Sequence, residues 1–193
     1  MKYFKNALAH FKTITRHRHE VMKNCFRAGI GFQGLFHDLS KYMPAEFLPG
    51  VKYFQGDRSP NEMERETIGY SNAWMHHKGR NRHHYEYWND YNPKTKRIEA
   101  VKMPDRYFVE MVCDRIAASK IYYGEDYTDA SSLNYYLRKK GKMFINPETE
   151  RDLEKILRIL ADKGEKKVFR ILRRIARKDR IRRIRNLVKK LFR

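Results

Sequence analysis

The chain has 193 residues, of which 41% are hydrophobic and 13% aromatic, with a formal net charge of +20. That apolar content excludes a wholly disordered chain, and the length suits one substantial domain with an appendage. No run reaches the roughly 18–20 uninterrupted apolar residues of a membrane span, and the N-terminal stretch lacks the apolar segment of a secretory signal.

Cys25 and Cys113 stand far apart without CxxC spacing. They read as two core thiols of a reducing, cytoplasmic environment, with no disulfide framework. The charge is uneven: residues 163–193 carry fifteen Lys or Arg against Glu165 and Asp179, a net +13 of the total +20. Affinity for polyanions is therefore expected of this segment and not of the whole fold.

In chain order, residues 3–28 are predicted as a helix, with Phe4, Leu8, Phe11, Ile14, Val21, Met22, Cys25 and Phe26 near helical spacing. Gly29, Gly31 and Gly34 loosen the chain before His37-Asp38, and Pro44 and Pro49 bracket a short turn or helical piece. Ser59-Pro60 predicts a helix start running to about 77, broken by Gly79 and Asn81. Residues 83–90 form a helical turn and 91–104 a polar connection. A helix from Pro104-Asp105 to about Tyr123 follows, then one from Asp129 through Leu137. Asn146-Pro147-Glu148 opens another to about Asp162.

Beyond Gly164 the chain is amphipathic and basic. Its two apolar stripes, Val168/Ile171/Leu172/Ile175 and Ile184/Leu187/Val188/Leu191, fall out of phase, which predicts a break near Lys178-Asp179. No strand alternation or repeat is seen. The expected class is all-α: a helical bundle domain over 1–145 and a helical extension over 146–193.

Seven of the eight histidines fall in three tight groups: His17 and His19; His37; and His76, His77, His83 and His84. Neutral imidazole suits Zn, Fe and Mn-type sites, and a neighbouring carboxylate can bridge two ions. Antiparallel helices with short connections would bring these groups to one end of a bundle. Asp114 shares a helical stripe with Tyr107, Met111, Ala118 and Ile121, so it is expected to point inward. A buried carboxylate is costly unless it is paired or bound to metal.

The order of these groups carries a resemblance: a His, then His-Asp, then His-His, then an inward Asp 76 residues after the His-Asp pair. This is the ligand order of the HD-domain superfamily, and HDLSKYMPAEF resembles the HD motif of its metal-dependent phosphohydrolases. More closely, HDLSKYMPAEFLPG, YFQGDRSPN and HHKGRNRHHYEYW resemble an uncharacterised family of bacteria and their phages, some of whose members carry the label catalase. No residue here supports that label. The resemblance covers about residues 10–125, and His17 fits its pattern better than His19.

It implies one or two divalent ions (Mn, Fe, Zn, Co or Mg). Asp38 would bridge or anchor them, with His17, His37 and Asp114 as companions; His76 or His77, with His83 or His84, would complete a second position. Lys41, Lys78, Arg80 and Arg82 would hold substrate phosphate, and Glu46 and Glu86 would orient the imidazoles or shuttle protons. Trp74, Trp88, Tyr85 and Tyr87 are base-stacking candidates that read more readily as core.

The expected activity is a metal-dependent phosphohydrolase acting on a nucleotide or another phosphate ester. The alternatives are an HD-type di-iron oxygenase, and a non-catalytic nucleic-acid-binding protein with structural histidines. Arg outnumbers Lys in 163–193, which suits phosphate recognition. Adsorption to an anionic membrane or docking on the domain itself are the other readings of this segment.

Overall fold

The computed structural model describes residues 2–191, so the last two residues of the basic segment lie outside the described residues. Eight α-helices and one small hairpin make up the described fold, which is all-α in essence. The long helix α1 (Lys2–Ala28) is followed by α2 (Gly31–Leu35), a 3-10 turn (Leu39–Tyr42), α3 (Pro44–Lys52), α4 (Pro60–Ile68) and α5 (Asn72–Arg80). Then come the hairpin β1 (Asn89–Asn92) and β2 (Arg97–Ala100), α6 (Asp105–Tyr123), α7 (Ser131–Lys139) and α8 (Pro147–Leu191).

One buried apolar cluster joins four helices. Val21 and Cys25 of α1 meet Val109, Val112, Cys113 and Ile116 of α6, Tyr136 of α7, and Leu153, Leu157, Leu160 and Leu172 of α8. The segment after 146 is thus largely part of the core rather than an appendage. On α1 only part of the expected stripe is used: Ile14, Val21 and Cys25 are buried, whereas Phe4, Leu8, Phe11 and Phe26 are exposed.

Three expectations are corrected. The single helix over 60–77 is two helices. Gly69 ends α4 in the left-handed region (φ 84°), and Ser71 restarts the chain by accepting a hydrogen bond from the Trp74 amide. The connection over 91–104 contains an antiparallel hairpin pairing Asn89 with Ala100 and Asn92 with Arg97. Its strands are four residues long, polar and half-exposed or exposed, so they carry no alternation to read. Local hydrogen bonds from Asn92 and Thr95 to Glu99 hold it.

Finally, α8 does not break at Lys178-Asp179. Its interruption is at Gly164 (φ 72°), where an added Cβ would lie 3.0 Å from the Asp129 carboxylate. Asp179 is buried and paired with Arg182 and Arg183, so the helix runs straight through it. No helix among the described residues is long and apolar enough to cross a membrane.

Candidate metal centre

Short connections and two backbone details bring the distant groups together. Gly34 packs α2 against α1 so closely that an added Cβ would stand 2.5 Å from the Cys25 Cβ. Arg18 reaches from α1 to the carbonyls of Leu35 and His37 and fixes the turn that follows. Asp38 itself sits in the left-handed region (φ 53°, ψ 26°). That conformation costs an L-residue on the order of 1–2 kcal/mol, although Asp tolerates it better than most. It turns a fully buried carboxylate into the space between α1, α5 and α6.

Asp38 is the hub. On one side its Oδ2 lies 3.3 Å from His37 Nε2 and 3.9 Å from His17 Nε2. Asp114 Oδ1 closes that group, 2.9 Å from His17 Nε2 and 3.7 Å from His37 Nε2. On the other side its Oδ1 lies 3.3 Å from His77 Nε2 and 3.4 Å from His83 Nε2, and His84 Nε2 is 2.9 Å from His77 Nε2. The donor atoms of His17, His37, Asp38 and Asp114 all lie within 4.8 Å of one another, as do those of Asp38, His77, His83 and His84. The chain therefore holds buried His/Asp groups arranged to take a metal ion.

A test of fit comes from the atoms left without partners. Both Asp38 oxygens and the Nε2 atoms of His17, His37 and His83 are buried and have no aligned hydrogen bond, although the Lys41 ammonium stands 2.7 Å from Asp38 Oδ2. Buried polar atoms are rarely left so. Five such atoms lie together at this centre, and a nitrogen- and oxygen-rich donor set suits Zn, Fe, Mn or Co.

The outer partners fix the tautomers. Glu110, one helical turn before Asp114 on α6, accepts from His37 Nδ1 at 2.9 Å and lies 3.4 Å from His83 Nδ1. Glu46 of α3 accepts from the Nδ1 atoms of His76 and His77, each at 2.7 Å. With Nδ1 protonated toward carboxylate, His37 and His77 present their Nε2 lone pairs to the centre. Replacing Glu110 or Glu46 by Gln is expected to weaken metal binding by roughly 10–100-fold while the fold persists. Competition titration against a chromophoric chelator, with thermal unfolding as control, measures this.

The electrostatics follow from burial and sign. Burial pushes the His37 and His77 imidazoles down, but the carboxylates around them (Asp38 with Asp114 and Glu110 for His37, Asp38 with Glu46 for His77) together hold both above their ordinary value. Burial together with Lys41 keeps His17 low, and burial with His83 and His77 keeps His84 well below its ordinary value. Burial opposes ionisation of Asp38 and Asp114, yet the surrounding imidazoles hold both well below the carboxylate range. Burial likewise opposes ionisation of Glu110, and its contacts with His37 and His83 bring it down to about 2.

His37 and His77 are thus the imidazoles that hold a second proton most readily, and ligation must displace it, while His17 and His84 favour the neutral form. Metal loading at pH 7 is expected to release protons, chiefly from His37 and His77. Calorimetry in buffers of different ionisation enthalpy reads the number, and a heat independent of buffer contradicts it.

Other candidates separate cleanly. His17 is buried at the centre, whereas His19 on the same helix is exposed. His76 bonds to Glu46 and joins neither group. Lys41 Nζ lies 2.7 Å from Asp38 Oδ2 and is the cation nearest the centre. Arg80, at the end of α5, is exposed, and no hydrogen bond or ion pair ties it to the centre. Arg82 is exposed and donates to the Tyr107 hydroxyl instead. Glu86 makes no hydrogen bond to an imidazole; its Oε2 is buried without a partner. Trp74 packs edge-on against His84 at 4.7 Å, and Trp88 packs on the apolar core.

Asp114 borders the core rather than filling it: its side chain is 16% exposed, and with Lys41 at 28% it marks the open side of the centre. Surface clefts of about 400 and 300 Å³ lie elsewhere, lined by residues such as Leu48, Tyr53 and Glu64 in one and Arg27, Phe169 and Arg173 in the other. Glu110 was missed from sequence. Its signal was a lone carboxylate inside the apolar run Phe108–Cys113, four residues before Asp114.

Residues 6–159, about four-fifths of the chain, match a family of unknown function, DUF5662. The chain belongs to this family. No curated protein and no solved structure matches it. The stretch matched to DUF5662 contains every residue of the candidate metal centre and ends within α8, well before the distal basic turns.

Proposed function

We propose that the chain is a metal-dependent phosphohydrolase of HD type, acting on a nucleotide or another phosphate ester. The observation that carries this reading is the division of Asp38 between two imidazole sets, with Oδ2 facing His17 and His37 and Oδ1 facing His77 and His83. A carboxylate so placed is suited to two divalent ions. The order His17, His37-Asp38, His77, Asp114 is that of the HD superfamily.

Divalent ions held there would act as Lewis acids on a phosphoryl oxygen and lower the pKa of water for attack on phosphorus. The chain's own residues supply the rest. Glu110 and Glu46 hold the imidazoles in the ligating tautomer. Lys41, against Asp38 on the open side, is placed to neutralise a phosphoryl oxygen as charge builds on it. The buried walls of α1, α5 and α6 keep bulk water from the remaining faces, which strengthens each of these interactions.

The test is a panel of phosphomonoesters, phosphodiesters and nucleotides, run with the metal-replete chain and with Asp38→Asn. Hydrolysis that requires added divalent metal and disappears in the variant supports the reading. Two bound irons with dioxygen-dependent turnover would assign the same ligands to an oxygenase and overturn it.

A further inference from the structure

The distal end of α8 is built unlike the rest of the helix. Residues 181–191 are all exposed, and beyond the Arg182 ion pair with Asp105 of α6 no hydrogen bond or ion pair among the described residues ties these turns to the other elements of the domain. Within them Ile181, Ile184, Leu187, Val188 and Leu191 expose between 45% and 74% of their surface. At about 100° per residue these five side chains occupy one sector roughly 120° wide. Arg182, Arg183, Arg185, Lys189 and Lys190 fill the opposite side, and no acid occurs after Asp179.

The sector is rotated by roughly a third of a turn from the face that Val168, Leu172, Ala176 and Asp179 bury against the core. The helix is continuous through Asp179, and every residue of the distal stripe stays exposed rather than docking on the domain. The stripe leaves the domain beside the corner between α1 and α2, where Arg180, in the same sector, donates to the Gly29 carbonyl. At that corner Phe26, Phe32 and Phe36 are exposed, and the rings of Phe32 and Phe36 meet at 5.3 Å.

We propose that residues 181–191 form an anionic-membrane-binding helix, lying in the plane of the bilayer surface with the apolar sector in the acyl boundary and the cations on lipid phosphates. Only this partner uses both halves of the surface. Nucleic acid would engage the cations and leave five large apolar side chains in water. A second copy would cover the stripe but set two rows of cations against each other, over a seam much shorter than the three to four heptads of a sustained coiled coil. An interfacial helix with a basic polar face gains from apolar insertion and from anionic headgroups together. This binding function is independent of the reading of the metal centre.

The experiment is sedimentation of the full chain with phosphatidylcholine vesicles, with and without phosphatidylserine. The comparison is the double variant Ile184→Gln, Leu187→Gln, which removes apolar surface without changing charge. Both side chains are exposed, so thermal unfolding is expected to match the wild type and shows that the fold is kept. The chain is expected to sediment with the phosphatidylserine vesicles alone, and the variant to bind them at least about tenfold less. No binding to phosphatidylserine vesicles overturns the proposal, as does equal binding by the variant, which would mark adsorption by charge alone. A dimer that the variant abolishes assigns the stripe to self-association. RNA bound more tightly than vesicles, and unchanged in the variant, assigns the segment to nucleic acid.

Discussion

Asp38→Asn is expected to strip both metal positions at once while leaving the chain folded. The change keeps the side-chain volume and removes the charge that both imidazole sets share, through Oδ2 on one side and Oδ1 on the other. Metal content should fall from near two equivalents per chain to a small fraction of one. Activity should drop by more than the roughly 10–100-fold typical of losing a residue that only orients a ligand. His17→Ala or His84→Ala, each on one side only, should remove one equivalent and spare the other. Elemental analysis of metal-replete protein after desalting checks all three. If Asp38→Asn retained both equivalents, the bridging role would be wrong.

Gly34→Ala is expected to act on the same centre from a distance. An added Cβ would fall 2.5 Å from Cys25 Cβ and 3.1 Å from its sulfur, atoms of a fully buried residue. Neither can move away, so α2 must shift from α1. Overpacking of this kind costs about 1–3 kcal/mol, and for a chain of this size each kcal/mol lowers Tm by roughly 2–4 °C. The His37-Asp38 turn begins two residues after α2 ends, so the shift also spreads the ligands, and metal affinity should fall with Tm. Differential scanning fluorimetry with and without Mn²⁺ separates the two effects. A variant with wild-type Tm and affinity contradicts the close approach.

What was legible in the sequence depended on periodicity and on residue chemistry. The long apolar patterns of α1, α6 and the start of α8 marked real helices, because burial imposes the 3.6-residue repeat wherever one face meets the core. The three-residue gap between α4 and α5 was hidden, since Gly69, Tyr70 and Ser71 interrupt the pattern too briefly to break it. The out-of-phase stripes of α8 were read correctly as pattern and wrongly as geometry. The phase changes because the helix leaves the domain after the buried Asp179, not because it bends there.

At the site, residue type together with the resembled ligand order pointed to His17, His37, Asp38 and Asp114, whose donor atoms the fold brings within 4.8 Å of one another. Which of the other imidazoles meet Asp38 was set by tertiary detail. The positive φ of Asp38 aims its carboxylate, and Glu46 takes the Nδ1 atoms of both His76 and His77 but leaves only His77 in a group. Arg80 drew notice by its place beside ligands in sequence. The end of α5 turns it to solvent, and neighbours along a helix do not share a face.

The most direct test of the account is anomalous diffraction from crystals of the chain grown with Mn²⁺. It predicts two peaks flanking Asp38, each about 2.0–2.2 Å from one of its oxygens, one also touching His17, His37 and Asp114, the other His77, His83 and His84. A single peak on surface carboxylates, or none, with Lys41 still holding Asp38, would contradict it.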